Sequence, residues 1–142
     1  MNISARTEYA CIAVLELAVS YGSDDPIRIR QIAEKHGIPS RFLVQILLQL
    51  KSAGIVSSTR GASGGYRLVR NPKEISLGEV MSVIEGSSGP PSASADRDSS
   101  ASRTLHQTWI EITKRQDELL DSITFADLHE QMVGQVEDMY YI

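Results

Sequence analysis

The segment at residues 55–70 restricts the fold more than any other part of the chain. Two short runs of β-branched or alternating residues, at 55–59 and 66–70, flank a turn that holds Gly61, Gly64 and Gly65. This pattern predicts a β-hairpin with a mobile tip, and Arg60 makes that tip basic. The patterns on either side of the hairpin are helical, so the predicted fold class is mainly α with a small β-hairpin.

The residues just before the hairpin predict a helix-turn-helix. A short helix at 30–36 ends at Gly37, and a longer one begins at Pro39 or Ser40 and stops before Gly54. The longer helix places apolar residues at i, i+3, i+4 and i+7, which defines an inward face; its members are Leu43, Ile46, Leu47 and Leu50. A hairpin directly after such a unit is the wing of a winged helix.

The chain divides into three regions. Residues 1–86 form the predicted winged helix-turn-helix domain, which starts with a helix capped by Ser4 and ends with a helix capped by Ser76 in a box with Glu79. Residues 87–104 are rich in Ser, Pro and Ala and predict a flexible loop. Residues 105–142 predict a long dimerisation helix from Thr104 to Ser122, then a short C-terminal helix capped by Thr124.

The long helix carries a heptad pattern, with intervals of 4, 3, 4, 3 and 4 residues. Such a seam is typical of helices that pack on another helix. It could pack on its own domain, but because a flexible loop separates this Trp-bearing stripe from the core, we expect the partner to be a second copy of the chain. The seam consists of Leu105, Trp109, Ile112, Gln116, Leu119 and Ile123.

Charge is distributed unevenly. The whole chain has a net charge of −4, yet residues 28–73 contain nine basic residues and one acidic residue, and residues 86–142 contain four basic and ten acidic ones. A basic surface on an acidic body is typical of proteins that bind nucleic acid, although a solvated basic face is the alternative reading.

Composition and motifs exclude several classes of protein. One cysteine excludes a disulfide framework, and no apolar run approaches the roughly 20 residues of a membrane span. The N-terminus leads into a helix pattern and does not resemble a signal peptide, so we expect a cytoplasmic location. No nucleophile motif, phosphate loop or metal-spaced His/Cys cluster occurs, and we predict that the chain is not an enzyme.

The wing sequence Arg60-Gly61-Ala62-Ser63-Gly64-Gly65-Tyr66, preceded by Gly54-Ile55-Val56-Ser57-Ser58, resembles that of the IscR/NsrR/CymR-type (Rrf) bacterial transcription regulators. The resemblance continues at 31–33, 38–39, Leu43, 45–47 and 75–80. It implies a homodimeric winged-helix protein whose long helix crosses to the partner and whose dimer binds a pseudo-palindromic DNA operator. We predict that it acts as a repressor.

Many members of that family hold an iron–sulfur cluster with three cysteines in the loop before the long helix. This chain has no cysteine at 87–104, so we expect no cofactor. A fourth ligand to the cluster is a histidine in some relatives and a carboxylate in others, and His106 and Glu8 of this chain lie at about those positions. One alternative hypothesis is that the protein is a metal or redox sensor that uses Glu8, Cys11 and His106. The simpler interpretation of Cys11 is a buried, inert thiol.

The candidate DNA-binding residues lie on the second and third helices and on the wing. Arg60 is expected to enter a narrow minor groove, while Arg41 and Gln45 suit guanine and adenine in the major groove. Ser40 is a candidate for base contact or a plain N-cap, and the wing glycines let the backbone approach phosphate or merely form the turn. Phosphate contacts are expected from Arg28, Arg30, Lys51, Arg67 and Arg70. The remaining alternative is a winged helix used as a protein-interaction module.

Overall fold

The computed structural model describes residues 1–86 and 99–140. In chain order its elements are α1 (Ala5–Val19), α2 (Ile29–His36), α3 (Ser40–Ser52), β1 (Val56–Thr59), β2 (Gly65–Leu68), a 3₁₀ turn (Pro72–Glu74), α4 (Leu77–Glu85), α5 (Ser100–Ser122) and α6 (Phe125–Tyr140). The two strands are antiparallel, with Val56 opposite Leu68 and Thr59 opposite Gly65. No helix of the described residues is long and apolar enough to cross a membrane.

The core forms around α1 and α3. The four inward residues predicted for α3 are fully buried. The fully buried residues of α1 lie within an arc of about 140° on one face, and Cys11, Ile12 and Leu15 on its other sides are partly buried. Ser4 caps α1 by accepting a hydrogen bond from the Thr7 backbone N–H at 3.1 Å. Gly37 ends α2 in the left-handed conformation, with φ +66°.

A charged cluster joins α1 to α2. Lys35 Nζ lies 2.8 Å from one carboxylate oxygen of Glu16, and His36 Nε2 lies 3.0 Å from the other. Burial raises the pKa of Glu16, but the hydrogen bonds and charges of its two basic neighbours outweigh burial and lower that pKa overall.

The segment between α5 and α6 is pinned to the segment before α4. The Leu77 N–H donates to the Ile123 carbonyl at 2.8 Å, and the Phe125 N–H donates to the Ile75 carbonyl at 3.0 Å. Phe125 is fully buried in the main core, and α6 packs on α1. Part of the predicted third region therefore shares the core of the winged-helix domain.

Several predicted boundaries are wrong. The long helix begins at Ser100 and not at Thr104, because Ser99 caps it. Residues 100–104 are thus helical, and the rest of the predicted loop, 87–98, lies outside the described residues. The C-terminal helix is not short, since α6 spans 16 residues. Ser76 does cap α4, but the Glu79 carboxylate accepts from the Arg70 guanidinium and not from the Ser76 backbone N–H that a capping box requires.

Candidate nucleic-acid interface

The outward face of α3 is polar at its N-terminal end. Pro39 occupies the N-cap position and Ser40 is the first helical residue, so the N-cap reading of Ser40 is wrong. The side chains of Ser40, Arg41 and Gln45 are all exposed. This end of α3 therefore presents one hydroxyl, one guanidinium and one amide to solvent.

Arg41 is held on one flank of this face. Its guanidinium lies 5.0 Å from the centroid of the Phe42 ring, a cation–π distance. The Phe42 ring in turn lies 6.1 Å from the ring of Tyr9 on α1. Phe42 lies at the edge of the apolar face of α3, is partly exposed, and packs between α1 and Arg41.

The wing glycines are explained by contacts inside the protein. A Cβ on Gly64 would lie 2.2 Å from the Thr59 carbonyl oxygen, and a Cβ on Gly65 would lie 2.6 Å from the Ile27 carbonyl oxygen. Gly65 (φ +153°) precedes the bridge between Tyr66 and Ile27, whose two backbone hydrogen bonds are 2.7 and 2.8 Å long. Gly61 supplies a positive φ of +105° at the tip. The close packing at Gly65 places Arg28, the next residue after Ile27, beside the wing.

Three segments meet in a shallow depression at the base of the wing, which we call the wing-root depression. It is lined by Arg28 from the start of α2, Lys51 from α3 and Arg60 from the wing, together with Ser58, Gly61, Gly64 and Gly65. Lys51 Nζ donates to Ser58 Oγ at 2.8 Å and so ties α3 to β1. Within the described residues, no carboxylate lies within 4.0 Å of the three cationic groups. Three positive charges without an internal counter-charge form a site for anions.

The other predicted phosphate contacts are engaged elsewhere. Arg30 pairs with Glu34 at 2.9 Å on the surface of α2. Arg67 Nη2 donates to the Asp24 carbonyl at 2.9 Å, which anchors β2 to the loop before α2. Arg70 pairs with Glu79 and also donates to the Glu74 carbonyl. The structure does not bring these three arginines into the wing-root depression.

Two residues of this depression, Lys51 and Ser58, have no distinct signal of their own in the sequence. Lys51 stood only as one of a group of phosphate contacts, and Ser58 was not a candidate. Ser58 lies opposite Tyr66 in the hairpin, so strand alternation was the signal that could have grouped it with the residues facing α3.

The predicted heptad seam of α5 splits into two parts. Four apolar members are at least half exposed, which leaves most of the seam open: Leu105, Trp109, Ile112 and Leu119. Gln116 instead lines a groove between α5, α4 and the N-terminus. Ile123 is half-buried at the pinned end of α5. The C-terminal end of α5 packs closely on α4, where a Cβ on Gly78 would lie 2.3 Å from an Asp121 carboxylate oxygen.

The thiol of Cys11 lies in an apolar setting on α1. Burial, with a smaller effect from the Glu85 charge, raises its pKa to about 11. Glu8 is exposed and His106 lies on α5, and the described residues of one chain contain no group of three side chains suited to a metal ion. Iron–sulfur clusters are held mainly by cysteine thiolates, so a donor set with one protonated thiol does not fit such a cluster.

Comparisons with known proteins agree on one family. A family model described as "Rrf2: Iron-dependent Transcriptional regulator" matches residues 3–131. The HTH-type transcriptional regulator CymR of Bacillus subtilis is 36% identical over 143 residues, which cover 100% of both chains. The HTH-type transcriptional regulator IscR of Aliivibrio salmonicida is 32% identical over 141 residues, which cover 97% of this chain and 83% of the relative.

Solved structures show the same fold. The structure of CymR (YrzC), the global cysteine regulator of B. subtilis, superposes with a TM-score of 0.79 at 34% identity and covers 92% of this chain and 98% of that one. The structure of T. potens IscR gives a TM-score of 0.74 at 32% identity, with coverage of 93% and 88%. The predicted winged-helix fold is confirmed, and so is the prediction of a regulator in place of an enzyme. The chain belongs to the Rrf2 family of DNA-binding transcriptional regulators.

Proposed function

We propose that this protein is a homodimeric repressor that binds a pseudo-palindromic operator, with α3 in the major groove and the wing against the adjacent minor groove. The observation that carries the proposal is the wing-root depression, where cations from three separate segments lie beside the exposed face of α3. Arg28 and Lys51 are suited to phosphate oxygens, and Arg60 to the negative potential of a narrow minor groove. The proposed location is the cytoplasm, where a bacterial chromosome lies.

The dimer would form through the exposed seam of α5. Trp109 is 50% exposed and Leu119 is 62% exposed, on a helix that buries no residue within its own chain. Burial of such side chains against a second copy is favourable by about 25 cal/mol per Å² of apolar surface. A two-fold dimer would set its α3 helices about 34–36 Å apart, one turn of DNA. Repression is proposed on the premise that the operator overlaps a promoter, where the bound dimer would exclude RNA polymerase.

Binding can be tested on DNA from upstream of the protein's own gene. Arg60→Ala should weaken binding to that fragment more than binding to random DNA, because minor-groove insertion depends on sequence-dependent groove width. Arg103→Ala is the matched control, since Arg103 is an exposed arginine on the side of α5 opposite the seam. Equal specific affinity of Arg60→Ala and the parent would remove the proposed role of the wing. Absence of a specific shift with the parent would favour the protein-interaction reading.

The dimer has its own test. Ile112→Lys places a charge in the exposed seam and should convert the dimer to a monomer in light scattering, with loss of operator binding. Gln107→Lys adds the same charge on the opposite side of α5 and should leave the dimer intact. A parent protein that is monomeric at the concentration where it binds its operator would overturn this part of the proposal.

We also propose that regulation proceeds without an iron–sulfur cluster. The support is the donor set, in which Cys11 is the sole cysteine of the 142 residues and its pKa is raised by burial. Anaerobically purified protein should contain no stoichiometric iron or sulfide. A cluster-type visible absorption band that Cys11→Ser abolishes would contradict the proposal and support the sensor reading with Glu8 and His106.

A further inference from the structure

The outward face of α3 contains an apolar pair as well as polar groups. Val44 is 43% exposed and Leu48 is 53% exposed. The two residues are one turn apart, at i and i+4, so their side chains are neighbours on the helix surface. The buried residues of α3 lie on the opposite face, so the core accounts for neither side chain.

This pair is continuous with the polar and cationic groups of the interface. At 100° per residue, an arc of about 100° contains Val44, Leu48, Arg41 and Gln45. Lys51 of the wing-root depression follows Leu48 by three residues, on the same side of the helix. Arg41 is held on the flank by Phe42. Leu48 therefore lies near the centre of the exposed face, and Val44 lies at the edge that continues to Lys51.

The chemistry of the surroundings identifies the occupant of this face. Its neighbours are cations with no carboxylate partner in the described residues, which favours a polyanion over another protein surface. In the major groove of DNA the apolar group available to an aliphatic side chain is the thymine 5-methyl. Val44 and Leu48 lie about 6 Å apart along the helix axis, close to the rise of two base pairs.

We propose that Val44 and Leu48 select operator half-sites by apolar contact with the 5-methyl groups of thymines in the major groove. The inference rests on the proposed function, in which α3 enters that groove. It adds a sequence preference, namely an A·T pair opposite each of the two side chains. Arg41 and Gln45 would select the flanking bases through hydrogen bonds.

The experiment uses the full-length protein and a library of random DNA duplexes. Sites selected by the parent should contain a thymine at one or two fixed positions of each half-site. Replacing each such thymine by deoxyuridine removes the methyl group and leaves the Watson–Crick pair intact. Binding should then weaken about fourfold for each contacted methyl, equivalent to about 0.8 kcal/mol.

The variants assign each methyl to a side chain. Leu48→Ala should bind the thymine duplex more weakly and should no longer distinguish thymine from uracil at its position, and Val44→Ala should do the same at the second position. Val133→Ala is the matched control, because Val133 on α6 is 45% exposed and should keep the full methyl dependence. Because all three side chains are exposed, the variants are expected to fold, which circular dichroism can verify.

The outcomes separate this inference from the proposed function. If the parent selects a defined site but binds thymine and uracil duplexes equally, the inference is wrong while the proposed function stands. Methyl dependence that survives in both alanine variants would also refute it. If Leu48→Ala changes the oligomeric state and leaves the methyl dependence intact, the face binds a second copy instead. If the parent selects no site at all, the proposed function and this inference fail together.

Discussion

Removal of Lys51 should reduce the salt dependence of DNA binding by a definite amount. The wing-root depression contains three cations without carboxylate partners in the described chain, so the proposed dimer presents six. Each cation displaces counterions on binding, whether it contacts a phosphate or, like Arg60, enters the minor groove, and is counted as neutralising one phosphate. The slope of log K against log salt concentration is then about −0.9 per phosphate, or about −5.4 in total. Lys51→Ala removes one cation from each protomer and should bring the slope to about −3.6.

The two slopes predict that the DNA affinities of the parent and of Lys51→Ala converge as the salt concentration rises. Between 50 and 200 mM salt the parent should lose roughly a thousandfold in affinity and Lys51→Ala roughly a hundredfold, so the defect of the variant shrinks about tenfold over that range. Fluorescence anisotropy with a labelled operator duplex measures both slopes. Lys114→Ala, which removes an exposed lysine from the side of α5 opposite the seam, should keep the parental slope. An unchanged slope for Lys51→Ala would show that Lys51 does not neutralise a phosphate and would refute the reasoning.

Three further predictions concern the fold. Gly65→Ala should destabilise the protein by about 1–3 kcal/mol, because the new Cβ would collide with the Ile27 carbonyl oxygen at 2.6 Å. We expect a lower Tm and weaker DNA binding, and an unchanged Tm would contradict this packing. Cys11 should react slowly with iodoacetamide at pH 7.5 and rapidly in denaturant, since its pKa is about 11; fast alkylation of the native protein, seen by mass spectrometry, would be inconsistent with burial. Glu16→Gln should lower Tm near neutral pH, because a lowered carboxyl pKa stabilises the fold only while the group is ionised. The difference should shrink as pH falls below the ordinary value of 4.5 and through the lowered pKa of Glu16; a difference that stays constant as the solution is acidified would rule out that origin.

Local patterns in the chain predicted much of the architecture. The spacing of Leu43, Ile46, Leu47 and Leu50 identified the buried face of α3, because helix periodicity is a property of near neighbours. Capping by Ser4 and Ser76 was predicted for the same reason, since a cap involves residues three positions apart. The hairpin and its basic tip followed from glycines between two alternating runs. These features depend on short stretches of chain, and tertiary packing left them unchanged.

The candidate interface was predicted only as a set of basic residues. Nine cations in one stretch indicated an anion-binding surface, but they did not indicate which cations are available. Arg67 and Arg70 are engaged with Asp24 and Glu79, whereas Lys51 remains in the wing-root depression. The distinction depends on which segments meet in space. Arg67 and its carbonyl acceptor are 43 residues apart in the chain.

In residues 1–86 and in the seam of α5, some features were determined by the local sequence and others by tertiary packing. Hydrophobic periodicity, helix capping and turn residues depend on neighbouring residues, and together they predicted a winged helix followed by an amphipathic helix. Tertiary packing decided that Gly65 must lack a side chain, that Phe125 completes the core of a domain it was expected to lie outside, and that Lys51 lies beside Arg28 and Arg60. Such outcomes depend on contacts between distant segments, whose free energies are set by the whole packed structure and not by any short stretch of sequence.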